Sequence, residues 1–289
     1  MEANNQRANK SLVGLSVGDG FGECFFSLPQ DAIDQQVLPD SPWRWTDDTH
    51  MALSIVEVLH NFGRITQDEL ARSFAKRFLQ EPWRGYAGGA QRLLSLYAQG
   101  ADWREEAPKL FNGGSYGNGG AMRAAPIGAF FAGDPVRAAI EAKLSAEVTH
   151  AHLEGQVGAM AVAIASAIVC GSIEITGRPF LDAVADHIPA SRTRDGIVRA
   201  AGIEAAEVER ARSVLGTGIQ VAAFDTVPYC LWVVAYHATD FVTALWTTVA
   251  GLGDRDTTCA IVGGIIAPGV GVPQDWRHRR ESLPEGFET

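Results

Sequence analysis

The sequence predicts an all-α protein, and three observations carry that expectation. Apolar residues in the long segments recur at helical rather than alternating spacing, no run reads as a convincing strand, and small residues recur four apart, where helices can approach closely. Taken in chain order, Met1 to Lys10 has no apolar stretch of the secretory kind, so export is not expected. Leu12 to Gly22 reads as a helix in which Gly14, Gly18 and Gly22 share one smooth ridge. Glycine costs about 1 kcal/mol per helical position relative to alanine, so three of them point to a packing or site requirement. Runs 51–60 and 69–78 are amphipathic helices, the first expected to begin at His50. Two glycine-rich loops, 83–89 and 112–120, interrupt the helices as candidate site walls. Gly158 to Gly171 is apolar but shorter than the roughly 20 residues needed to cross a bilayer, and reads as a buried core helix. Residues 190–212 are polar and charged and read as a solvated helical excursion. Cys259 to Ala267, with Gly263 and Gly264, reads as another tightly packed helix.

A chain of 289 residues, 46% hydrophobic, can bury one large core, and no biased linker or internal repeat divides it. One domain over residues 1–289 is expected. The formal charge of −10, from 34 acidic and 24 basic residues, offers no electrostatic footprint for nucleic acid. No membrane partner is expected either. Cys24, Cys170, Cys230 and Cys259 are widely spaced, without a C-x-x-C pair, and read as reduced core thiols of a cytoplasmic protein.

The chemistry is expected at two clusters. Thr46-Asp47-Asp48-Thr49 and Gly253-Asp254-Arg255-Asp256-Thr257-Thr258 each stand directly before an apolar helical run. Asp and Thr commonly cap helices, but capping needs one such residue, and adjacent carboxylates repel unless a cation lies between them or water screens them. Two such clusters suggest facing helix N-termini that gather four carboxylates. All-oxygen ligands of this kind suit hard divalent ions, and two ions are the natural count for four carboxylates. The Asp-Asp pair is also similar to the aspartate-rich motifs of prenyl-diphosphate enzymes, but no third carboxylate follows at the expected place. Separately, the loop 113–120 can present backbone N–H groups to a diphosphate. Gly18 to Gly22 is no dinucleotide fingerprint, because the spacing fails and no strand precedes it.

Five motifs in order resemble the ADP-ribosylglycohydrolase family over about residues 12–271. They are Gly14-Leu-Ser-Val-Gly18-Asp19-Gly-Phe-Gly22, Thr46-Asp47-Asp48-Thr49, Gly117-Asn118-Gly119-Gly120-Ala-Met122-Arg123-Ala-Ala-Pro126, Thr149-His150 and Gly253-Asp254-Arg-Asp256-Thr257. The resemblance implies a compact, single-domain orthogonal helical bundle with two Mg²⁺ or Mn²⁺ ions. It further implies cleavage of the glycosidic bond between ADP-ribose and an acceptor, either a modified protein or a small molecule, with ADP-ribose as product. Thr46, Asp47, Asp48, Asp254, Asp256 and Thr257 fall on the family's metal ligands. Asp47 or Asp254 is the expected base, and Asp19 is expected to orient the metal site. Ser115, Tyr116, Gly117, Asn118, Gly119 and His150 are the expected substrate contacts. Arg123 is expected to tie helices together through a buried carboxylate, Met122 to pack in the core, and the chain to act as a monomer.

The chain departs from the family pattern at one place. Many members carry a glutamate four residues after Gly22, where this sequence has Phe26; its nearest glutamate is Glu23. Either Glu23 reaches the same space from another backbone position, or the role is missing and the scaffold binds ADP-ribose without turning it over. A phosphohydrolase using the same carboxylates is a further alternative. Arginine-directed relatives carry an aspartate near Ser115; Ser115-Tyr116 instead is similar to the serine-directed and polymer-cleaving branch, with Tyr86 and Asp102 as another source of acceptor contacts.

Overall fold

The computed structural model describes residues 1–171 and 175–288, and within them every extended element is a helix; the sole β pairing is two isolated bridges, Trp43 with Arg280 and Gly117 with Ala222. The chain opens with the long helix α1 (Glu2–Cys24) and the short α2 (Gln30–Asp34), then α3 (Asp47–Phe62), α4 (Gln67–Gln80), α5 (Gly88–Ala98) and α6 (Trp103–Lys109). Two 3₁₀ turns, Leu110–Asn112 and Asn118–Gly120, lead to α7 (Ala125–Phe130), α8 (Pro135–Glu147) and α9 (Leu153–Gly171). The remainder is α10 (Gly177–Ala185), α11 (Arg192–Ala200), α12 (Val208–Leu215), α13 (Ala223–His237), α14 (Phe241–Val249), α15 (Arg255–Val270) and α16 (Gln274–Arg279).

The architecture is organised around α1 and α15, which lie antiparallel with their backbones in contact. A Cβ added at Gly14 would stand 2.4 Å from the Gly263 carbonyl oxygen, at Gly18 2.1 Å from that of Cys259, and at Gly22 2.2 Å from that of Arg255. Each glycine thus meets a residue of a second spacing-four row running the other way, so one whole ridge is backbone against backbone. Helices α3, α7, α9, α13 and α14 pack around this pair. The apolar α9 is long and apolar enough to cross a membrane by composition, yet most of it is buried within the protein.

Local sequence accounts for the ends of the site-bearing helices. Thr46, in extended conformation, caps α3 by accepting from the Asp48 N–H, and Gly63 ends it in the left-handed region at φ 67°, donating to Leu59. The helix therefore begins at Asp47, three residues before the expected His50, because the capping group is Thr46 and both aspartates lie in the first turn. Residues 190–212 also differ from expectation. They form α11 and α12, whose Thr193, Ile197, Ala200 and Ala211 are buried, and Gly196 abuts the Pro228 ring, where a Cβ would approach to 2.5 Å. Polar composition hid a narrow apolar stripe. The four cysteines are all free; Cys230 and Cys259 are buried, whereas Cys24 and Cys170 are only half-buried.

The seam predicts its own sensitivity. Gly18→Ala should lower stability by about 1–3 kcal/mol, since carbonyl backbone cannot yield as a flexible side chain would. Chemical denaturation of both proteins measures the difference, and an unchanged midpoint would show that the two helices can separate without cost.

Candidate metal centre

Because α1 and α15 touch, Asp19 on the first and Asp256 on the second are drawn together beside the N-terminus of α3. Carboxylate oxygens of Asp19, Asp48 and Asp256 lie within 4.8 Å of one another. Asp19 is wholly buried, and its Oδ2 accepts from Thr46 N at 2.9 Å, Thr49 N at 3.0 Å and Thr49 Oγ1 at 2.6 Å. Its Oδ1 lies 2.9 Å from Thr46 Oγ1, which is also 3.1 Å from Asp48 Oδ2. Asp19 thereby ties the first turn of α3 to α1 and orients Thr46 and Asp48. It also brings one oxygen to where a cation could be shared with Asp48 and Asp256, which the sequence motifs did not indicate.

The donor set fits a hard divalent ion. Asp48 Oδ1 and Asp256 Oδ1 are buried with no hydrogen-bond partner among the described residues, an arrangement that costs free energy unless something positive completes it. Burial pushes the Asp19 carboxyl up to about 6 and, with help from the Asp19 charge, that of Asp47 to about 7. Burial followed by the neighbouring carboxylates raises Asp48 and Asp256 well above the usual carboxylate range. Asp254, at the head of α15, makes no capping bond; its Oδ2 instead accepts from Asn118 Nδ2 at 2.6 Å. Helix capping therefore explains Thr46 but not the four aspartates of the two clusters.

Asp47, Asp48, Asp254, Asp256 and Thr257 line one side of a cleft of about 470 Å³, a size suited to a small ligand. The same cleft is lined by every expected substrate contact from Ser115 to Gly119, and by His150. The loop is braced from behind: Ser115 Oγ accepts from Gly117 N at 3.1 Å, Asn118 N donates to Val221 O, and Asn118 Nδ2 also reaches Thr226 Oγ1 at 3.1 Å. Tyr116 is half exposed, edge-on to His152.

A profile described as ADP-ribosylglycohydrolase matches residues 1–288. The chain belongs to the ADP-ribosylglycohydrolase family. It is 29% identical over 327 residues to the ADP-ribosylhydrolase ARH3 of Homo sapiens, covering 95% of this chain and 89% of that protein. It is 28% identical over 311 residues to ARH3 of Gallus gallus, covering 95% and 81%. A solved structure described as an ADP-ribosylglycohydrolase-related protein complex superposes with a TM-score of 0.64 at 20% identity, covering 97% of this chain and 94% of that one, and shares the fold.

Within this family member several expected placements change. Glu23 lies four residues after Asp19 on the same face of α1, but it is exposed and is not among the residues that line the cleft; burial of part of the group and then the Asp19 and Asp254 charges raise its carboxyl. Phe26 follows the end of the helix, half exposed, with the Arg255 guanidinium 5.0 Å from its ring. Among the described residues Arg123 bonds no carboxylate: it donates to the Ser145 carbonyl and Thr149 Oγ1, because the helices around it present oxygens of other kinds. Met122 is buried and also lines the cleft. The loop's Gly113, Gly114, Gly117 and Asn118 N–H groups are engaged within the protein, which removes them from a diphosphate cradle. Tyr86 and Asp102 do not form an acceptor wall. Tyr86 is buried with its hydroxyl 3.0 Å from His50 Nδ1, and Asp102 caps α6.

One supporting group had no sequence signal. Arg84 stacks 3.5 Å from the Trp45 ring and donates to the Trp45 carbonyl and to Glu281, joining the segment before Thr46 to the C-terminal region. Its partner lies 197 residues away, beyond any local pattern.

Two outcomes are expected of the centre. Asp19→Asn should weaken Mg²⁺ binding about 10- to 100-fold, as loss of a ligand-orienting partner commonly does; calorimetry reads it, and equal affinity would remove Asp19 from the centre. Carboxyl groups held at about 6 and 7 in the fold, against 3.8 ordinarily, favour the protein at low pH, and that contribution is lost as pH rises through those values. Mg²⁺ bound among these carboxylates would restore it, so a metal-induced rise in melting temperature should grow between pH 5.5 and pH 8. The depressed His50 and His150, at about 4 and 3, act oppositely, their contribution being lost as pH falls below the usual histidine range, but equally with and without metal. A metal-induced rise that shrinks with pH would contradict this.

Proposed function

We propose that this chain is a metal-dependent ADP-ribosyl hydrolase that cleaves the bond between ribose C1″ of ADP-ribose and an acceptor, with two Mg²⁺ or Mn²⁺ ions held by Thr46, Asp47, Asp48, Asp254, Asp256 and Thr257. The observation that carries the reading is the pair of buried, unpartnered oxygens, Asp48 Oδ1 and Asp256 Oδ1, in a carboxylate cluster that lines the same cleft as the Ser115–Gly119 loop and His150. Divalent cations bound there supply chelation for ribose hydroxyls, a more acidic water and charge stabilisation at the anomeric centre.

The chain's own residues supply the rest. Asp254, oriented by Asn118, or Asp47, at the cleft wall beside Gly85, takes the proton of the water whose oxygen bonds to C1″ as the bond to the acceptor breaks. The departing acceptor atom takes up a proton in exchange, so that the elements of one water are divided between C1″ and the acceptor. We assign Glu23, exposed one turn beyond Asp19, as a third carboxylate taking part in that exchange. No carboxylate stands at Ser115, which favours an oxygen-linked acceptor, on a protein or small molecule, over a guanidinium. Four free thiols accord with a cytoplasmic setting, and we take the acting form to be a monomer.

The second reading, an ADP-ribose-binding protein without turnover, is motivated by Phe26 standing outside the cleft where the family glutamate is expected. Release of ADP-ribose from serine-, arginine- and polymer-linked substrates with Mg²⁺ or Mn²⁺ separates the two. Asp254→Ala and Asp47→Asn should each reduce turnover by at least about 100-fold, the scale of losing a general base. Glu23→Gln should fall between them and wild type. Tight ADP-ribose binding with no turnover of any substrate would establish the second reading, and release of AMP would indicate a phosphohydrolase instead.

A further inference from the structure

Behind the substrate loop, three side chains form a hydrogen-bonded chain that the proposed reaction leaves unused. Arg123 is fully buried. Its Nη2 donates to the Ser145 carbonyl at 3.2 Å and to Thr149 Oγ1 at 2.8 Å, its Nη1 lies 3.4 Å from Met51 Sδ, and its carbon lies 4.5 Å from the Phe74 ring. Thr149 Oγ1 in turn lies 2.8 Å from His150 Nδ1. Among the described residues, Arg123 and His150 are the polar partners of that hydroxyl.

The directions of these bonds follow from the inventory of donors. A guanidinium only donates, so the Thr149 oxygen accepts from Arg123 and its own proton needs another acceptor. Nδ1 is the acceptor in reach. Were Nδ1 protonated, the buried hydroxyl would be left as a donor without a partner, an arrangement folded proteins avoid. The ring proton therefore resides on Nε2. That edge of the ring faces the substrate loop: a Cβ at Gly119 would lie 3.3 Å from Nε2 and one at Gly117 3.5 Å from it. The two glycines leave this donor open to the cleft.

We propose that Arg123 and Thr149 are positioning residues that hold His150 in its Nε2–H form, so that the ring presents one donor to an oxygen of the nucleotide bound in the cleft. The proposal rests on the cleft being an ADP-ribose site. Burial together with the Arg123 charge pushes His150 down to about 3, so the ring stays neutral at physiological pH. A neutral donor fixed in orientation recognises an oxygen by direction rather than by charge.

Ring-nitrogen NMR of the ¹⁵N-labelled, Mg²⁺-loaded full chain tests the relay, with ADP-ribose calorimetry beside it. In the wild type His150 should be neutral with its proton on Nε2, and Nδ1 should show the signal of a hydrogen-bonded acceptor. Thr149→Val should move Nδ1 to the signal of an unbonded nitrogen and weaken ADP-ribose binding about five- to tenfold, the scale of one hydrogen bond. Thr149→Ser should restore both. His150→Gln, whose amide N–H falls near Nε2, should bind more tightly than His150→Asn, whose amide falls near Nδ1. A wild-type proton on Nδ1, or a Thr149→Val chain with unchanged nitrogen signal and affinity, overturns the proposal. A wild type that binds no ADP-ribose overturns the reading of the cleft, while the nitrogen signals still decide the relay.

Discussion

The contact between the backbones of α1 and α15 is the constraint on which the rest of this protein depends. Ordinary helix pairs are held 8–10 Å apart by their side chains. Gly14, Gly18 and Gly22 remove that spacer along one ridge, and the facing carbonyls of Gly263, Cys259 and Arg255 occupy the space. The consequence is chemical as well as mechanical. Asp19 and Asp256 sit on the two helices at the level where they are closest, and the N-terminus of α3, tied to Asp19 through Thr46 and Thr49, adds Asp48 to the same small volume.

A concentration of buried carboxylates works against the fold that builds it. The raised pKa values of Asp19, Asp47, Asp48 and Asp256 express that opposition, because each proton retained is a negative charge the interior has refused. The tight α1–α15 seam and the large apolar core around it supply the stability against which the cluster can be held. Two of the cluster's oxygens have no partner among the described residues, which a capping device would not require and a cation site would.

The substrate side of the cleft follows a different rule. There the chain satisfies its polar groups internally and leaves selected ones facing the cleft. Asn118 joins the loop to Asp254 and Thr226, Ser115 receives the Gly117 N–H, and Arg123 with Thr149 occupies one face of His150 while the other remains open. A charged centre and a neutral, directional wall thus share one space. That pairing suits a ligand with hydroxyls at one part and phosphate oxygens at another.

Much of this was legible in the residues alone. The helices, the glycine ridge, the two Asp/Thr clusters and the loop 113–120 are local patterns, set by periodicity, capping chemistry and backbone freedom within a turn or two, and their order along the chain identified the family resemblance. What the tertiary structure decided depends on residues far apart in sequence. The Arg84–Glu281 pairing, the place of Asp19 beside Asp48 and Asp256, the exposure of Phe26, the apolar stripe hidden in residues 190–212 and the oxygens around Arg123 were all settled by which helix faces meet. Sequence spacing tells which side of its own helix a residue occupies, whereas its neighbours depend on how closely and at what rotation two helices pack. Here three absent side chains on α1 set both.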